Sequence, residues 1–317
     1  MKVLVTGGTG FIGKHLVREL TKRDYDVVCL VRKTSRTEIL DAMGVRYLIC
    51  DMTDPADVER AFDRVLPRAV AHCAAQVMGT DESELCRINV TTTRNVLNAC
   101  SSYKIDRLVY LSSVSVISGN EETPLTEGLP YKASNAYGRS KIEAERLVVA
   151  YRDKGLKAAI IRPCMVYGED EPHMLDSICE AVTKKRIPLF DVPGMDMRLQ
   201  LIYISNLMQV LLAAMEKEEA LTGTFMAADR EVITIRKSLE ILYDEIGKGD
   251  PFVIPSWVMR ACMMIPFVER KIRKKFKDRV YDISRATDIL GYDPKVSTEE
   301  GLRKVVKYWK MRRKKLA

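Results

Sequence analysis

The chain begins with Lys2-Val3-Leu4-Val5-Thr6, which runs straight into Gly7-Gly8-Thr9-Gly10-Phe11-Ile12-Gly13 and then His15-Leu16-Val17-Arg18-Glu19-Leu20. A short apolar run predicts a buried parallel strand, and the segment after the turn predicts an amphipathic helix. Glycines are common in loops, but glycines between a strand and a helix at this spacing propose a specific structure. Gly7 would permit the tight turn, Gly10 the close approach of backbone to a pyrophosphate, and Gly13 the packing of helix on strand. The N–H groups at the start of the helix, Phe11, Ile12 and Gly13 among them, would face the phosphates with the positive end of the helix dipole.

Strand and helix patterns alternate beyond the turn. Val27–Val31, Arg46–Cys50, Ala69–Ala75, Arg107–Leu111 and Ala158–Arg162 read as strands, with helices over Val90–Tyr103 and Asn135–Lys154 among those between them. This order predicts an α/β protein with a Rossmann-type, doubly wound parallel sheet and ligands at the carboxyl ends of its strands. Residues 1–168 are expected to form the dinucleotide-binding domain, with 197–230 returning to it. Residues 169–196 and 231–317 then form a smaller, mostly C-terminal substrate-binding region. Eight scattered cysteines and three histidines offer neither a CxxC pair nor a Cys/His cluster. A zinc site and a disulfide framework are therefore not expected, and reduced thiols with no signal peptide point to a cytoplasmic protein.

The end of the second strand bears on cofactor choice. A carboxylate there would bind the adenosine ribose hydroxyls. The chain has Arg32-Lys33-Thr34-Ser35-Arg36 instead. Cationic side chains at that point suit a ribose 2′-phosphate, so NADP(H) is expected in preference to NAD(H). Asp51 and Met52, at the next strand end, would lie near the adenine, with Asp51 accepting from its amino group.

Chemistry is carried by a second segment. Tyr137 is the only one of the thirteen tyrosines followed four residues later by a lysine, Lys141. On a helix that spacing puts both side chains on one face. An ammonium beside a phenol favours the phenolate, which could exchange a proton with a substrate hydroxyl or carbonyl. The strand before this helix ends in Ser112-Ser113, and a serine there could hydrogen-bond the reacting oxygen.

These motifs resemble the extended short-chain dehydrogenases/reductases, a superfamily of sugar-nucleotide epimerases, dihydroflavonol reductases and 3β-hydroxysteroid dehydrogenases. The likeness runs from the glycine turn through Asp51-Met52-Thr53-Asp54, His72-Cys73-Ala74-Ala75, Ile88-Asn89-Val90 and Leu111-Ser112-Ser113 to Tyr137–Lys141. It continues in Arg162-Pro163, Val166-Tyr167-Gly168 and Tyr281-Asp282-Ile283-Ser284. The resemblance implies that Tyr137 is the acid/base, that Lys141 lowers its pKa and binds the nicotinamide ribose, and that Ser113, preferred to Ser112, orients the substrate. It also implies cofactor contacts from Ala74, Ala75, Asn89, Pro163 and Val166, and a homodimer built on the two helices named above.

Departures from the family patterns narrow the branch. Val114-Ser115 lacks the acidic pair of sugar dehydratases, and Arg32 stands where many epimerases are acidic. Arg198-Leu199-Gln200-Leu201-Ile202-Tyr203 is closer to the steroid-dehydrogenase and dihydroflavonol-reductase relatives, with Arg198 either a substrate contact or a surface ion-pair residue. The expectation is an oxidoreductase interconverting a secondary alcohol and a ketone, with a nucleotide-sugar epimerase as the alternative and a non-catalytic sensor third. Met174, Leu175, Ile178 and Met195 offer an apolar lining for a small-molecule substrate, or ordinary core. Residues 269–317 hold seventeen Lys/Arg and seven Asp/Glu, a local +10 within a chain of net charge +8. Behind the apolar stretch Phe252–Val268, this basic region offers either a solvated face or a peripheral contact with an anionic membrane. No nucleic-acid module accompanies the charge.

Overall fold

In the computed structural model, residues 1–77, 81–172, 175–184, 189–190, 196–249, 251, 253–254, 257 and 277–316 are described. The opening run forms β1 (Lys2–Thr6), followed by β2 (Asp26–Val31), β3 (Arg46–Ile49), β4 (Ala69–His72), β5 (Arg107–Leu111), β6 (Ala158–Pro163) and β7 (Thr224–Ala227). They make one seven-stranded parallel sheet in the order β7-β6-β5-β4-β1-β2-β3. Strand order reverses between β1 and β4, and the crevice there is where a doubly wound sheet receives its ligand.

Helices cover both faces of the sheet. Val3 and Val5 point into a core closed by α1 (Phe11–Lys22) and α7 (Ile204–Glu216); Leu4 points into the opposite core, closed by α3 (Pro55–Val65), α4 (Glu82–Ser102) and α5 (Ala136–Arg152). Burial on both faces explains why the strands read as continuous apolar runs rather than as alternations. Each fully buried Val or Leu contributes about 1.5–3 kcal/mol by leaving water. The short helices α2 (Glu38–Ala42) and α6 (Leu175–Thr183) precede α7 in the chain, and α8 (Ile235–Ile246), α9 (Ser284–Leu290) and α10 (Thr298–Leu316) follow it. Among the described residues, no helix is long and apolar enough to cross a membrane.

β4 stops at His72, with residues 73–75 as its exit, and two other elements differ from the sequence patterns. Helix α4 starts well before Val90, because the Asp81 side chain caps it by accepting from the Glu84 N–H at 3.0 Å. The seventh strand went unread: Thr224-Phe225-Met226-Ala227 is four residues long, too short to show a period. Asp229, just beyond it, is 1% exposed and accepts from Asn206 Nδ2 at 2.8 Å on α7 and from the Thr298 hydroxyl at 3.4 Å at the start of α10. This buried carboxylate fastens the C-terminal helices to the end of the sheet.

Candidate active site

The glycine turn after β1 is built from contacts that only glycine permits. Gly7 has φ +71°, and a Cβ on it would fall 2.8 Å from the Ala74 nitrogen, where the chain leaving β4 crosses over. A Cβ on Gly13 would fall 2.0 Å from the Gly7 carbonyl oxygen, so α1 lies directly on the turn. The Gly10 N–H closes the turn by donating to that same oxygen at 2.9 Å. The α3, α4, α5 and α8 N-termini are capped by side chains; those of α2, α7 and α9 are not, and α1 likewise begins at Gly10 with no side-chain cap. Its first N–H groups, with Phe11 and Ile12 half-buried beside them, thus point out of an open cradle that fits a pyrophosphate.

Arg32 and Lys33 extend from the end of β2 and are exposed. Ser35 folds the loop back by accepting from the Arg32 N–H at 3.0 Å, and neither cation forms an ion pair among the described residues. Asp51 is exposed; its Oδ1 accepts from the Thr53 N–H at 2.9 Å and the Thr53 hydroxyl at 2.7 Å, which holds the carboxyl below its ordinary pKa. Met52 is buried at the same strand end, and its carbonyl accepts from Asn95 on α4 at 3.0 Å.

The exit of β4 is pinned rather than free. His72 is buried between the Thr6 and Thr93 hydroxyls, at 2.7 and 3.1 Å, and burial pushes its pKa down to about 3, so the imidazole stays neutral. The Ala74 N–H donates to Thr6 Oγ1 at 3.2 Å, and Ala75 faces solvent. Asn89, expected as a cofactor contact, has its amide engaged within the protein. Its Nδ2 donates to the Gln76 carbonyl and to Ser140 Oγ, both at 2.9 Å, and its Oδ1 accepts from the Gln76 N–H at 2.7 Å. With both amide protons committed, Asn89 locks the loop after β4 to α4 and α5.

The catalytic candidates gather at the end of β5. Ser112 is buried, and its N–H donates to the Ile161 carbonyl at 2.7 Å. Ser113 is half-buried, donates to Ser115 Oγ at 3.1 Å and caps the 3-10 turn Val114–Ile117. The Ser112 hydroxyl has no hydrogen-bond partner among the described residues, whereas the Ser113 hydroxyl is engaged with Ser115. The first turn of α5 presses on that 3-10 turn: a Cβ on Gly138 would fall 2.5 Å from the Ser115 carbonyl oxygen. Asn135 caps the helix by accepting from the Gly138 N–H at 2.7 Å. Sequence reasoning missed both residues, although a glycine directly after Tyr137 within a helix is a visible signal of close approach.

Lys141 is 2% exposed, and its ammonium donates to the Leu111 carbonyl at 2.6 Å. Burial pulls its pKa down to about 8. Tyr137, one turn earlier, has its phenol pushed up to about 12 by burial. This is opposite to the expected lowering by Lys141. Desolvation disfavours the phenolate, and the ammonium is committed to the Leu111 carbonyl rather than to the phenol.

The remaining candidates divide. Pro163 ends β6, and Val166 lies in a short parallel ladder of Met165–Tyr167 with Leu201–Tyr203. Beyond that ladder, Glu169 accepts from the Tyr203 hydroxyl at 2.6 Å, and Asp170 pairs with Lys14 on α1 at 3.2 Å. Arg198 is an exposed ion-pair residue: its Nε donates to Asp278 Oδ2 at 2.8 Å and its N–H to Oδ1 at 2.8 Å. Ile178 packs on the core, while Met174, Met195 and the Leu175 side chain lie outside the described residues. So does nearly all of Phe252–Val268 and of the basic stretch that follows to residue 276. No cluster of His, Cys, Asp and Glu that could hold a metal occurs among the described residues.

A seven-stranded parallel sheet with a glycine turn at its switch point marks a nicotinamide-dependent enzyme of the extended short-chain dehydrogenase/reductase type. The chain belongs to the NAD dependent epimerase/dehydratase family, whose model matches residues 3–227. It is 25% identical over 338 residues to a decarboxylating sterol-4-alpha-carboxylate 3-dehydrogenase of Schizosaccharomyces pombe, covering 96% of this chain and 97% of that protein. It is 27% identical over 334 residues to a 2-alkyl-3-oxoalkanoate reductase of Shewanella oneidensis, covering 95% and 84%. Among solved structures, a UDP-glucose 4-epimerase of Thermus thermophilus in complex with NAD matches at TM-score 0.79 and 27% identity, over 98% of this chain and 99% of that one.

Proposed function

We propose that the protein is an NADP(H)-dependent oxidoreductase that interconverts a secondary alcohol and a ketone on a lipophilic small molecule. The observation that supports this reading is the Lys141 ammonium on the Leu111 carbonyl at the end of β5, with Ser113 two residues further along the chain and Tyr137 one turn before Lys141 on α5. The sterol and alkyl-oxoalkanoate relatives act on apolar substrates by their names, which supports the substrate class.

The dinucleotide would lie with its pyrophosphate on Gly7–Gly13, its adenine near Asp51 and Met52, its 2′-phosphate against Arg32 and Lys33, and its nicotinamide toward Pro163 and Val166. Bound there, it supplies or takes up the hydride at the substrate carbon. Ser113 hydrogen-bonds the substrate oxygen, and Tyr137 gives that oxygen a proton in reduction and removes one in oxidation. Lys141 holds the nicotinamide ribose and favours the phenolate when oxidation requires it.

Calorimetry with NADPH and NADH, followed by turnover of a panel of ketones and nucleotide-sugars, tests the reading. Tighter NADPH binding and net ketone reduction are expected. Charge-assisted hydrogen bonds to a phosphate contribute about 1.5–3 kcal/mol, so Arg32→Ala is expected to weaken NADPH roughly 10- to 100-fold and NADH far less. Wild-type preference for NADH, with tightly retained NAD and no net turnover, would instead establish the epimerase.

A lipophilic substrate also gives the basic C-terminus a use. Lys307, Arg312, Arg313 and Lys314 are exposed toward the end of α10, and Arg312 reaches Asp176 on α6 at 3.5 Å. This face would meet an anionic bilayer beside the substrate region. Co-sedimentation with phosphatidylglycerol vesicles, absent with phosphatidylcholine and abolished by salt, is the expected result; equal sedimentation with both lipids, or with neither, would end the idea.

A further inference from the structure

An ammonium that has left water must replace three hydrogen-bonding partners. Among the described residues, Lys141 Nζ has one hydrogen-bond acceptor, the Leu111 carbonyl at 2.6 Å. The charged and titratable groups around it offer little more. On β4 and its exit, His72 is neutral, and burial pushes the Cys73 thiol up to about 12. On α5, burial also keeps the Tyr137 phenol protonated, which leaves Glu145 as the one nearby anion. Both Glu145 oxygens are already held by Arg162 of β6, at 2.9 and 2.8 Å.

The remaining contact is aromatic. Nζ lies over the ring of Tyr110, 4.4 Å from its centroid, and that ring is 1% exposed. Tyr110 directly precedes Leu111 on β5, so a single stretch of strand presents a carbonyl and a π face to the same cation. A desolvated cation–π contact is stronger than an exposed one, because no water competes for the cation.

We propose that Tyr110 is a positioning residue for Lys141, its ring face holding the buried ammonium charged and aligned on the Leu111 carbonyl. The proposal rests on the oxidoreductase reading for its role in turnover, but the effect of the ring on the ammonium is measurable without turnover. Tyr131 also lies near the Arg162–Glu145 pair, yet its ring stacks on the guanidinium rather than on Lys141.

The test replaces residue 110 in the full chain by Phe and by phenylalanines of increasing fluorination, which keep the ring's shape while draining its negative face. Lys141 is followed by its ¹⁵Nζ NMR titration, assigned by its loss in Lys141→Arg, and by the pH profile of kcat/KM for ketone reduction. Tyr110→Phe is expected to titrate as the wild type does. Full fluorination is expected to lower the Lys141 titration point by about one pH unit, with partial fluorination between. The limb of the activity profile that follows Lys141 should move by the same amount. A titration point that does not change with fluorination overturns the proposal, as does a Tyr110→Phe shift equal to that of the fully fluorinated ring. Wild-type protein inactive toward ketones, with the stepwise titration shift intact, would sink the oxidoreductase reading alone.

Discussion

Tyr137→Phe is expected to lower kcat for ketone reduction by about 10²- to 10⁴-fold, the range a positioned acid/base contributes, while the protein still binds the nucleotide. The substitution removes one oxygen from a half-buried ring and leaves its packing in place. The loss should therefore be in turnover rather than in folding. The two directions of reaction should also differ in their response to pH. Burial pushes the phenol up to about 12, so the group is protonated at neutral pH and ready to donate. Reduction, which consumes that proton, should hold level up to the Lys141 limb near pH 8, whereas alcohol oxidation, which requires the phenolate, should rise from about pH 6 toward that limb. Steady-state kinetics in both directions, with calorimetric nucleotide binding as the control for folding, checks both statements. Undiminished turnover in Tyr137→Phe would remove this residue from the chemistry.

The parts of this site that were legible in the sequence are those set by local spacing. Gly7, Gly10 and Gly13 announce a turn between strand and helix, and Tyr137 with Lys141 announces one helical face; separations of three and of four residues suffice for these readings. What could not be read depends on partners far along the chain. The partners of the Asn89 amide are the backbone of Gln76 and the hydroxyl of Ser140, the latter fifty-one residues away. Arg198 is claimed by Asp278, eighty residues on. The Tyr137 shift depends on such surroundings too. Spacing shows that a lysine is near, but not that burial outweighs it or that the ammonium is turned to the Leu111 carbonyl.

The Glu145–Arg162 pair belongs to this second class, and its disruption is the largest stability effect expected of the fold. Glu145 on α5 is fully buried, and the Arg162 side chain on β6 is 5% exposed. The guanidinium grips both carboxylate oxygens and gives a further hydrogen bond, at 3.1 Å, to the Glu127 carbonyl. Arg162→Met keeps much of the side-chain volume but strands an anion in the interior. Breaking such a pair from one side costs about 3–5 kcal/mol, which lowers Tm by roughly 5–8 °C in a chain of this size. The same change should disturb Lys141, because an unpaired Glu145 one turn away on α5 would draw the ammonium from the Leu111 carbonyl. Replacing both partners, Glu145→Leu with Arg162→Met, removes the stranded charge and is expected to recover most of the lost stability. Denaturant unfolding of the two single variants and the double variant settles the matter. A double variant no more stable than Arg162→Met would mean that packing around the guanidinium, rather than the buried charge, sets the cost.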